Sequence, residues 1–157
     1  MPKFFAVLVA ATWMLLGSFS LQAQAADPEV AKIEQLFKQT GLSYKAARED
    51  VWWVEFDKKN LGKVRVITST GKGIVVVFVI VAQKAAIRET PQLLKKLLQH
   101  NHEYDYVKIG IDKDGDLFVR IDTPVRLIDS TKLREDIDQV ANASEEVFTK
   151  NAAALKR

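Results

Sequence analysis

The architecture of this chain follows from Ile74-Val75-Val76-Val77-Phe78-Val79-Ile80-Val81-Ala82, nine consecutive apolar residues near its middle. β-Branched residues dominate the run and favour a strand over a helix. The run is too short to cross a bilayer, which takes about 20 apolar residues in a helix. Successive side chains of a strand point to opposite faces, which places Ile74, Val76, Phe78 and Ile80 on one face and Val75, Val77, Val79 and Val81 on the other.

A strand that is apolar on both faces has to be covered on both. Helices can cover one face of such a sheet, and the other face then needs a second layer, a partner chain or a ligand. The alternative is a sheet that curls within one chain, so that Trp52 or Trp53 shields this face. The sequence leaves open which face is exposed. We expect a protein partner or a second copy of the chain to cover it.

The residues before this run show the period-two pattern of further strands. Residues 51–56 are rich in β-branched and aromatic residues, residues 57–60 indicate a turn, and residues 63–66 alternate valine with lysine or arginine. A second turn is predicted at 70–73. Residues 44–47 can form one additional short strand.

The residues after the run predict a β-hairpin. Residues 107–112 and 117–122 each alternate apolar with polar side chains, apart from Phe118 on the polar side of its strand. Asp114-Gly115 between them is a typical hairpin turn. Pro124 ends the second strand because proline cannot donate to a strand ladder.

Three helices are predicted around these strands. The first spans 28–40, between the capping residue Asp27 and Gly41. The second begins at Thr90-Pro91 with Leu93, Leu94, Leu97 and Leu98 as one stripe, and the third begins at Asp129 or Ser130. The order α-β-β-β-α-β-β-α predicts an α+β domain at 26–150, an antiparallel sheet with flanking helices. The tail, residues 151–157, is expected to fray.

The first 25 residues have the pattern of a secretory signal peptide. Lys3 precedes an apolar run from Phe4 to Leu16, and Ala23-Gln24-Ala25 supplies the small residues of a cleavage site. We expect cleavage between Ala25 and Ala26 and a periplasmic or secreted protein without membrane contact after cleavage. An uncleaved membrane anchor is the alternative.

Composition excludes several kinds of chemistry. The chain of 157 residues has no cysteine, which rules out disulfides, thiolate metal sites and a cysteine nucleophile. Its net charge of +3 is spread over interspersed basic and acidic residues, so no nucleic-acid footprint is predicted.

No metal or cofactor site is predicted. Asp112, Asp114 and Asp116 resemble the start of a calcium loop, but the glycine and glutamate that such a loop requires are replaced by Leu117 and Thr123. His100 and His102 stand about 200° apart on a helix and cannot share a metal unless the chain bends there.

Nucleophile and phosphate-loop motifs do not occur either. Residues 69–73 contain Gly-Lys without the spacing of a phosphate-binding loop, and no serine lies in a nucleophile elbow. The carboxylates are scattered, so an enzyme is disfavoured but not excluded.

The candidate partner-binding residues lie on two predicted strands. Trp52 and Trp53 are adjacent and therefore point to opposite faces, so one can fill the core while the other anchors a partner. On the apolar strand the candidates are Val75, Val77 and Val79.

The second half of the chain resembles the YbjN family. The likeness is carried by Leu93-Leu94-Lys95-Lys96-Leu97-Leu98 with Asn101, by the hairpin from Val107 to Leu117, and by the segment from Pro124 to Leu133 that leads into the last helix. As a pattern of elements it covers residues 28–150. The resemblance implies a fold similar to type III secretion chaperones and a non-enzymatic, often dimeric, partner-binding module.

The sequence thus predicts an exported, non-enzymatic protein-binding or chaperone-like module of the bacterial envelope. One alternative is a small-ligand carrier or an enzyme with a carboxylate site that leaves no local motif. Another is a structural or regulatory envelope protein that acts by assembly alone.

Overall fold

Six antiparallel strands and three α-helices form residues 27–155, the part of the chain that this computed structural model describes. The helices are α1 (Pro28–Thr40), α2 (Pro91–Glu103) and α3 (Ser130–Lys150). The strands are β1 (Tyr44–Arg48), β2 (Val51–Lys58), β3 (Gly62–Gly71), β4 (Ile74–Ala82), β5 (Lys108–Ile111) and β6 (Leu117–Pro124).

Capping residues set the helix ends. The Asp27 carboxylate accepts a hydrogen bond from the Glu29 N–H at 2.8 Å, and α1 ends at Gly41, whose φ of 72° suits glycine. The Thr90 hydroxyl accepts one from the Leu93 N–H at 3.1 Å and begins α2. The predicted bounds of the first helix are confirmed.

The strands form one sheet in the order β1-β2-β3-β4-β6-β5, with every neighbouring pair antiparallel. β4 lies inside the sheet, between β3 and β6. The predicted α+β class with an antiparallel sheet is confirmed, and the additional early strand is present as β1.

The core lies on one face of this sheet. α3 packs on β4 and β6, α1 packs against α3 and β3, and α2 packs against β5. Val75, Val77 and Val79 of β4 point into this core with exposed fractions of 0%, 1% and 3%. Trp52 is also buried, with its ring centroid 5.6 Å from that of Phe37.

These positions correct the sequence-based choice of partner-binding residues. Val75, Val77 and Val79 cannot contact a partner in the folded chain, because α3 covers their side of β4. Trp52 is the tryptophan that fills the core. The face left for a partner carries the other set of β4 and Trp53.

Two further expectations are corrected by packing. Residues 151–155 do not fray, because Asn151 and Leu155 are buried and Leu155 forms a β-bridge with Ile87. The leucine stripe of α2 is divided, since Leu93 and Leu97 are buried whereas Leu94 and Leu98 are exposed. Neighbouring residues on a helix point about 100° apart, and the contact of α2 with the core covers only the side that carries Leu93 and Leu97.

None of the helices within 27–155 has the length and apolar character that crossing a bilayer requires. The predicted signal segment and its cleavage site at Ala25 and Ala26 lie outside the described residues.

Candidate partner-binding surface on the outer sheet face

The face of the sheet opposite the helices carries a continuous group of apolar side chains. We call it the outer patch, and it consists of Trp53, Ile67, Ile74, Val76, Phe78, Ile80 and Phe118. None of these residues belongs to the buried core. Ile74 and Ile80 are 41% and 38% exposed, and the other five are half-buried. The four members from β4 are the set that alternates with the buried valines.

Strand register aligns part of this patch in a row across all six strands. Trp53 lies opposite Ile67, and Ile67 lies opposite Phe78. The row continues to Lys45 at one end, and to Arg120 and then Lys108 at the other. We call these six residues the central row; it has apolar side chains in the middle and cations at both ends.

One charged cluster borders the patch on β2 and β3. Glu55 accepts hydrogen bonds from Lys63 at 3.2 Å and Arg65 at 3.4 Å. The bond from Lys63 is the main reason that the pKa of Glu55 lies below its ordinary value, and Arg65 adds to the shift. The bond to Glu55 likewise raises the pKa of Lys63. Asp57, directly opposite Lys63, also favours the charged form of Lys63, so this cluster has two carboxylates and two cations.

A second charged cluster lies on β5 and β6. Asp122 accepts hydrogen bonds from Lys108 at 2.6 Å and from Arg120 at 3.0 Å. Asp112 lines the outer-face recess together with Arg120. Each border of the outer patch therefore has two cations and two carboxylates, and Lys45 adds one positive charge on the β1 side.

Cations also lie over the aromatic rings of the patch. The Lys45 ammonium is 4.9 Å and the Arg65 guanidinium 4.7 Å from the centroid of the Trp53 ring. The Arg120 guanidinium is 5.5 Å from the Phe118 ring. Such contacts are favourable by about 0.5–1 kcal/mol at exposed sites, and they hold the cationic heads beside the apolar surface.

A shallow cavity of about 190 Å³ opens between β4 and β6. Val76, Phe78, Ile80 and Phe118 form its apolar walls, and Asp112 and Arg120 complete the lining. The outer patch therefore includes a recess with polar groups at its border rather than a uniformly flat surface.

The two edge strands of the sheet differ in how their outward backbone groups are paired. At β5, the Asn101 amide donates to the Ile109 carbonyl at 2.7 Å and accepts from the Ile109 N–H at 2.9 Å. At β1, the strand pairs with β2 on one side, and none of the described strands pairs with its other side. The β1 edge is next to Trp53, so a strand added there would lie beside the outer patch.

The family model for YbjN, described as "Putative bacterial sensory transduction regulator", matches residues 29–151. The chain belongs to the YbjN family. The match spans the sheet and the three helices, including the outer patch. No curated protein sequence matches the chain.

Solved structures share the fold of this YbjN-family protein. Crystallised YbjN from E. coli has a TM-score of 0.57 at 14% identity, with 79% of this chain and 91% of that chain covered. The ExsC–ExsE complex matches at a TM-score of 0.57 and 12% identity, with 77% and 93% covered. The Yersinia pestis type III secretion chaperone SycH, in complex with a fragment of YscM2, matches at 0.55 and 15%, with 76% and 98% covered. The type III secretion chaperone-like fold predicted from the resemblance is confirmed.

The aspartates of the hairpin in this YbjN-family chain shape its turn. Asp112 accepts hydrogen bonds from the N–H groups of Asp114 and Asp116, each at 2.9 Å, and the bond from Asp116 is the main reason that its pKa is lowered. Asp116 accepts one from the Lys84 N–H at 2.8 Å. These oxygens are thus engaged by backbone donors.

The two histidines have separate surroundings. His100 is buried and lies 3.1 Å from Glu103 and 3.2 Å from Asn151, whereas His102 is exposed. Within residues 27–155, no three His, Asp or Glu side chains are grouped as metal ligands.

Of the outer patch, sequence reasoning selected only Trp53, because on β4 it chose the buried valines in place of Ile74, Val76, Phe78 and Ile80. Ile67 and Phe118 were not selected, nor were the cations Lys45, Arg65 and Arg120. Phe118 does leave a signal, because it shares the polar side of its strand with Arg120 and Asp122. An aromatic residue on a charged strand face indicates that this face is not wholly exposed to solvent.

Proposed function

We propose that this YbjN-family protein is an exported, non-enzymatic module of the bacterial envelope that binds a segment of another protein on its outer patch. The observation that carries the proposal is the patch itself, seven apolar side chains from β2, β3, β4 and β6 that the core does not use. Monomers seldom keep a contiguous apolar surface of several hundred Å² in water unless it binds something.

The energetic gain from covering this surface is large. Removing about 300 Å² of apolar area from water is favourable by about 7 kcal/mol before the costs of association. A partner that supplies matching apolar side chains obtains this gain. Trp53 is the natural anchor, because tryptophan is enriched where binding energy concentrates.

The size of the patch favours a short segment over a second copy of the chain. Four strands about 4.8 Å apart span about 19 Å, and the four alternate residues of β4 span about 20 Å along the strand, so the patch covers at most about 300–400 Å². A stable protein–protein interface buries about 800 Å² on each partner. The outer patch alone therefore suits a peptide segment better than a face-to-face dimer.

The free edge of β1 offers such a segment a second means of attachment. An extended chain can add to a sheet edge through main-chain hydrogen bonds, while its side chains occupy neighbouring pockets. The fold neighbours ExsC and SycH were solved in complexes with ExsE and a fragment of YscM2. Those complexes support partner binding for this architecture by analogy.

The alternative of a small-ligand carrier has less support. Ligand sites usually have volumes of about 300–1,000 Å³ and mostly apolar linings. The recess between β4 and β6 is smaller, about 190 Å³, and the larger one of about 440 Å³ on the same face is bordered by Glu55, Lys63 and Arg65. The carboxylates on the same face, Glu55 and Asp122, each bind two cations at the border and do not face one another across a cleft.

Export is the second part of the proposal, and it rests on the signal-like pattern of residues 1–25. Expression of the full chain in a Gram-negative host, followed by mass spectrometry of the periplasmic fraction, tests it. We expect a polypeptide that begins at Ala26. A cytoplasmic protein that retains Met1 would contradict export.

Site-specific photocrosslinking in cells tests partner binding. A photoreactive amino acid at Phe78 is expected to give a discrete adduct, and the same group at Lys38 on the helical side is the control. Val76→Asp should remove the adduct at Phe78 without unfolding the chain, because Val76 shares the outer face. An adduct that persists in Val76→Asp, or none at all, would refute binding at the outer patch.

A further inference from the structure

The geometry of the central row points to an acidic partner: we infer that the bound segment carries a carboxylate on each side of a short apolar stretch. This inference rests on the proposed function and specifies the chemistry of its partner. It follows from where the charges of the outer face lie relative to Trp53, Ile67 and Phe78.

The central row contains no carboxylate. Lys45 lies at one end beside Trp53, and Arg120 and Lys108 lie at the other end beside Phe78. A segment that runs along the row, perpendicular to the strands, passes a cation at each end, whereas a segment added to the β1 edge runs along the strands and meets Lys45 alone among the row's cations. A basic segment would bring like charges together at both ends, whereas an acidic one forms complementary pairs.

The acidic residues of this face lie beside the central row and not in it. Glu55 is within 3.4 Å of both Lys63 and Arg65, and Asp122 is within 3.0 Å of both Lys108 and Arg120. Asp57 opposite Lys63 and Asp112 beside Arg120 complete the balance of the two borders. The preference for an acidic segment therefore rests on the groups that the row itself presents. Lys45 lies over the Trp53 ring and adds a further positive charge on the β1 side.

Binding makes the cations of the row matter more. A partner that covers the outer patch removes water from the cationic heads held over Trp53 and Phe118. A charge that loses water without gaining a partner is costly. Carboxylates at both ends of the segment supply those partners, so they become part of the specificity of the surface.

Strand spacing sets the separation of the two carboxylates. Lys45 and Arg120 are four strands apart, which is about 19 Å at 4.8 Å per strand. An extended chain advances about 3.3 Å per residue. The two acidic positions should therefore lie about six residues apart, with apolar residues between them.

Selection from a random twelve-residue peptide library displayed on phage tests the inference with the mature domain as bait. Clones that also bind Phe78→Ser are discarded, so that only ligands of the outer patch remain. We expect enrichment of Asp and Glu on both sides of an apolar core, and depletion of Lys and Arg. Patch-dependent clones without acidic enrichment would overturn the inference and leave the proposed function standing. If no clone depends on Phe78, both fail.

Affinity measurements then test which cations of the row pair with the acidic residues of the peptide. The best peptide and its Glu→Gln and Asp→Gln form are compared by fluorescence anisotropy on wild type, on Lys45→Gln and on the double variant Lys45→Gln/Arg120→Gln. Each lost charge pair should weaken binding about two- to five-fold, less so at high salt. Lys38→Gln/Lys113→Gln is the control with the same net charge, on the helical side and in a turn. Equal weakening by the control would overturn the inference, as would equal affinity for the acidic and neutral peptides. Lys45→Gln guards against a folding defect, because Lys45 is exposed on an edge strand.

Discussion

The side chain of Asn101 pairs with the backbone of Ile109 as a neighbouring strand would: Asn101 Nδ2 donates to the Ile109 carbonyl at 2.7 Å, and Asn101 Oδ1 accepts from the Ile109 N–H at 2.9 Å. Asn101 also donates to the Leu97 carbonyl within α2. One residue thereby fixes α2 to β5 and closes that edge of the sheet. A closed edge at β5 leaves β1 as the edge at which another strand can add.

The first prediction concerns this edge. Asn101→Ala should lower the free energy of unfolding by about 1–3 kcal/mol, because the Ile109 N–H and carbonyl lose their partners. It should also raise the tendency to aggregate through the exposed edge. Urea denaturation and light scattering measure the two effects. His102→Ala, on an exposed position of the same helix, is the control; an equal loss of stability in both variants would contradict the assignment.

The second prediction separates the two faces of β4. Val77 is 1% exposed in the core, and its neighbour Val76 lies on the outer face. Val77→Asp should unfold the chain, because burying an unpaired carboxylate costs an amount comparable with the whole free energy of unfolding of a domain, about 5–15 kcal/mol. Val76→Asp should change stability by only about 0.5 kcal/mol and should abolish partner binding. Circular dichroism and light scattering distinguish these outcomes. A folded Val77→Asp would refute the burial of that face.

Val76 and Val77 also show which parts of the fold the sequence alone can predict. Asp27, Gly41, Thr90 and Pro124 mark element ends through local chemistry, so helix bounds and strand ends were predictable. The sequence did not predict which face of β4 is buried, because both of its alternating sets of residues are apolar. The deciding contacts are cross-strand pairs such as Ile67 with Phe78 and the packing of α3 on β4, which depend on register and tertiary structure. The partner of Asn101 likewise lies beyond any local pattern.

The third prediction concerns the adjacent tryptophans. Trp52→Ala should lower stability by about 3–5 kcal/mol, since it removes a buried ring that packs against Phe37. Trp53→Ala should lower stability by about 1 kcal/mol or less, because its ring is partly exposed and contacts mainly Lys45 and Arg65. Partner binding should show the reverse order, with Trp53→Ala the more damaging once the fraction folded is accounted for. Thermal melts and peptide anisotropy measure both. Binding that survives Trp53→Ala unchanged would remove Trp53 as an anchor.

The fourth prediction concerns acid stability and Glu145 of α3. One oxygen of this carboxylate accepts from the N–H and the side-chain amide of Asn60, each at 2.8 Å, and the other accepts from the Leu61 N–H at 2.9 Å. These bonds fix the turn between β2 and β3 to the helix. Burial acts to raise the pKa of Glu145, but the hydrogen bonds from Asn60 and Leu61 outweigh it and hold the pKa below the ordinary 4.5.

A lowered pKa in the folded chain means that Glu145 stabilises the fold fully above pH 4.5, and that this contribution is lost as the pH falls through the folded-state value. Glu145→Gln should therefore destabilise the protein by about 1–2 kcal/mol at neutral pH, and the difference from wild type should shrink progressively below pH 4.5. Urea denaturation between pH 3 and pH 7 measures it. Glu135→Gln, an exposed position of the same helix, corrects for the general titration of carboxylates. A difference that stays constant down to the lowest pH, or that grows on acidification, would show that the charge of Glu145 does not hold this turn.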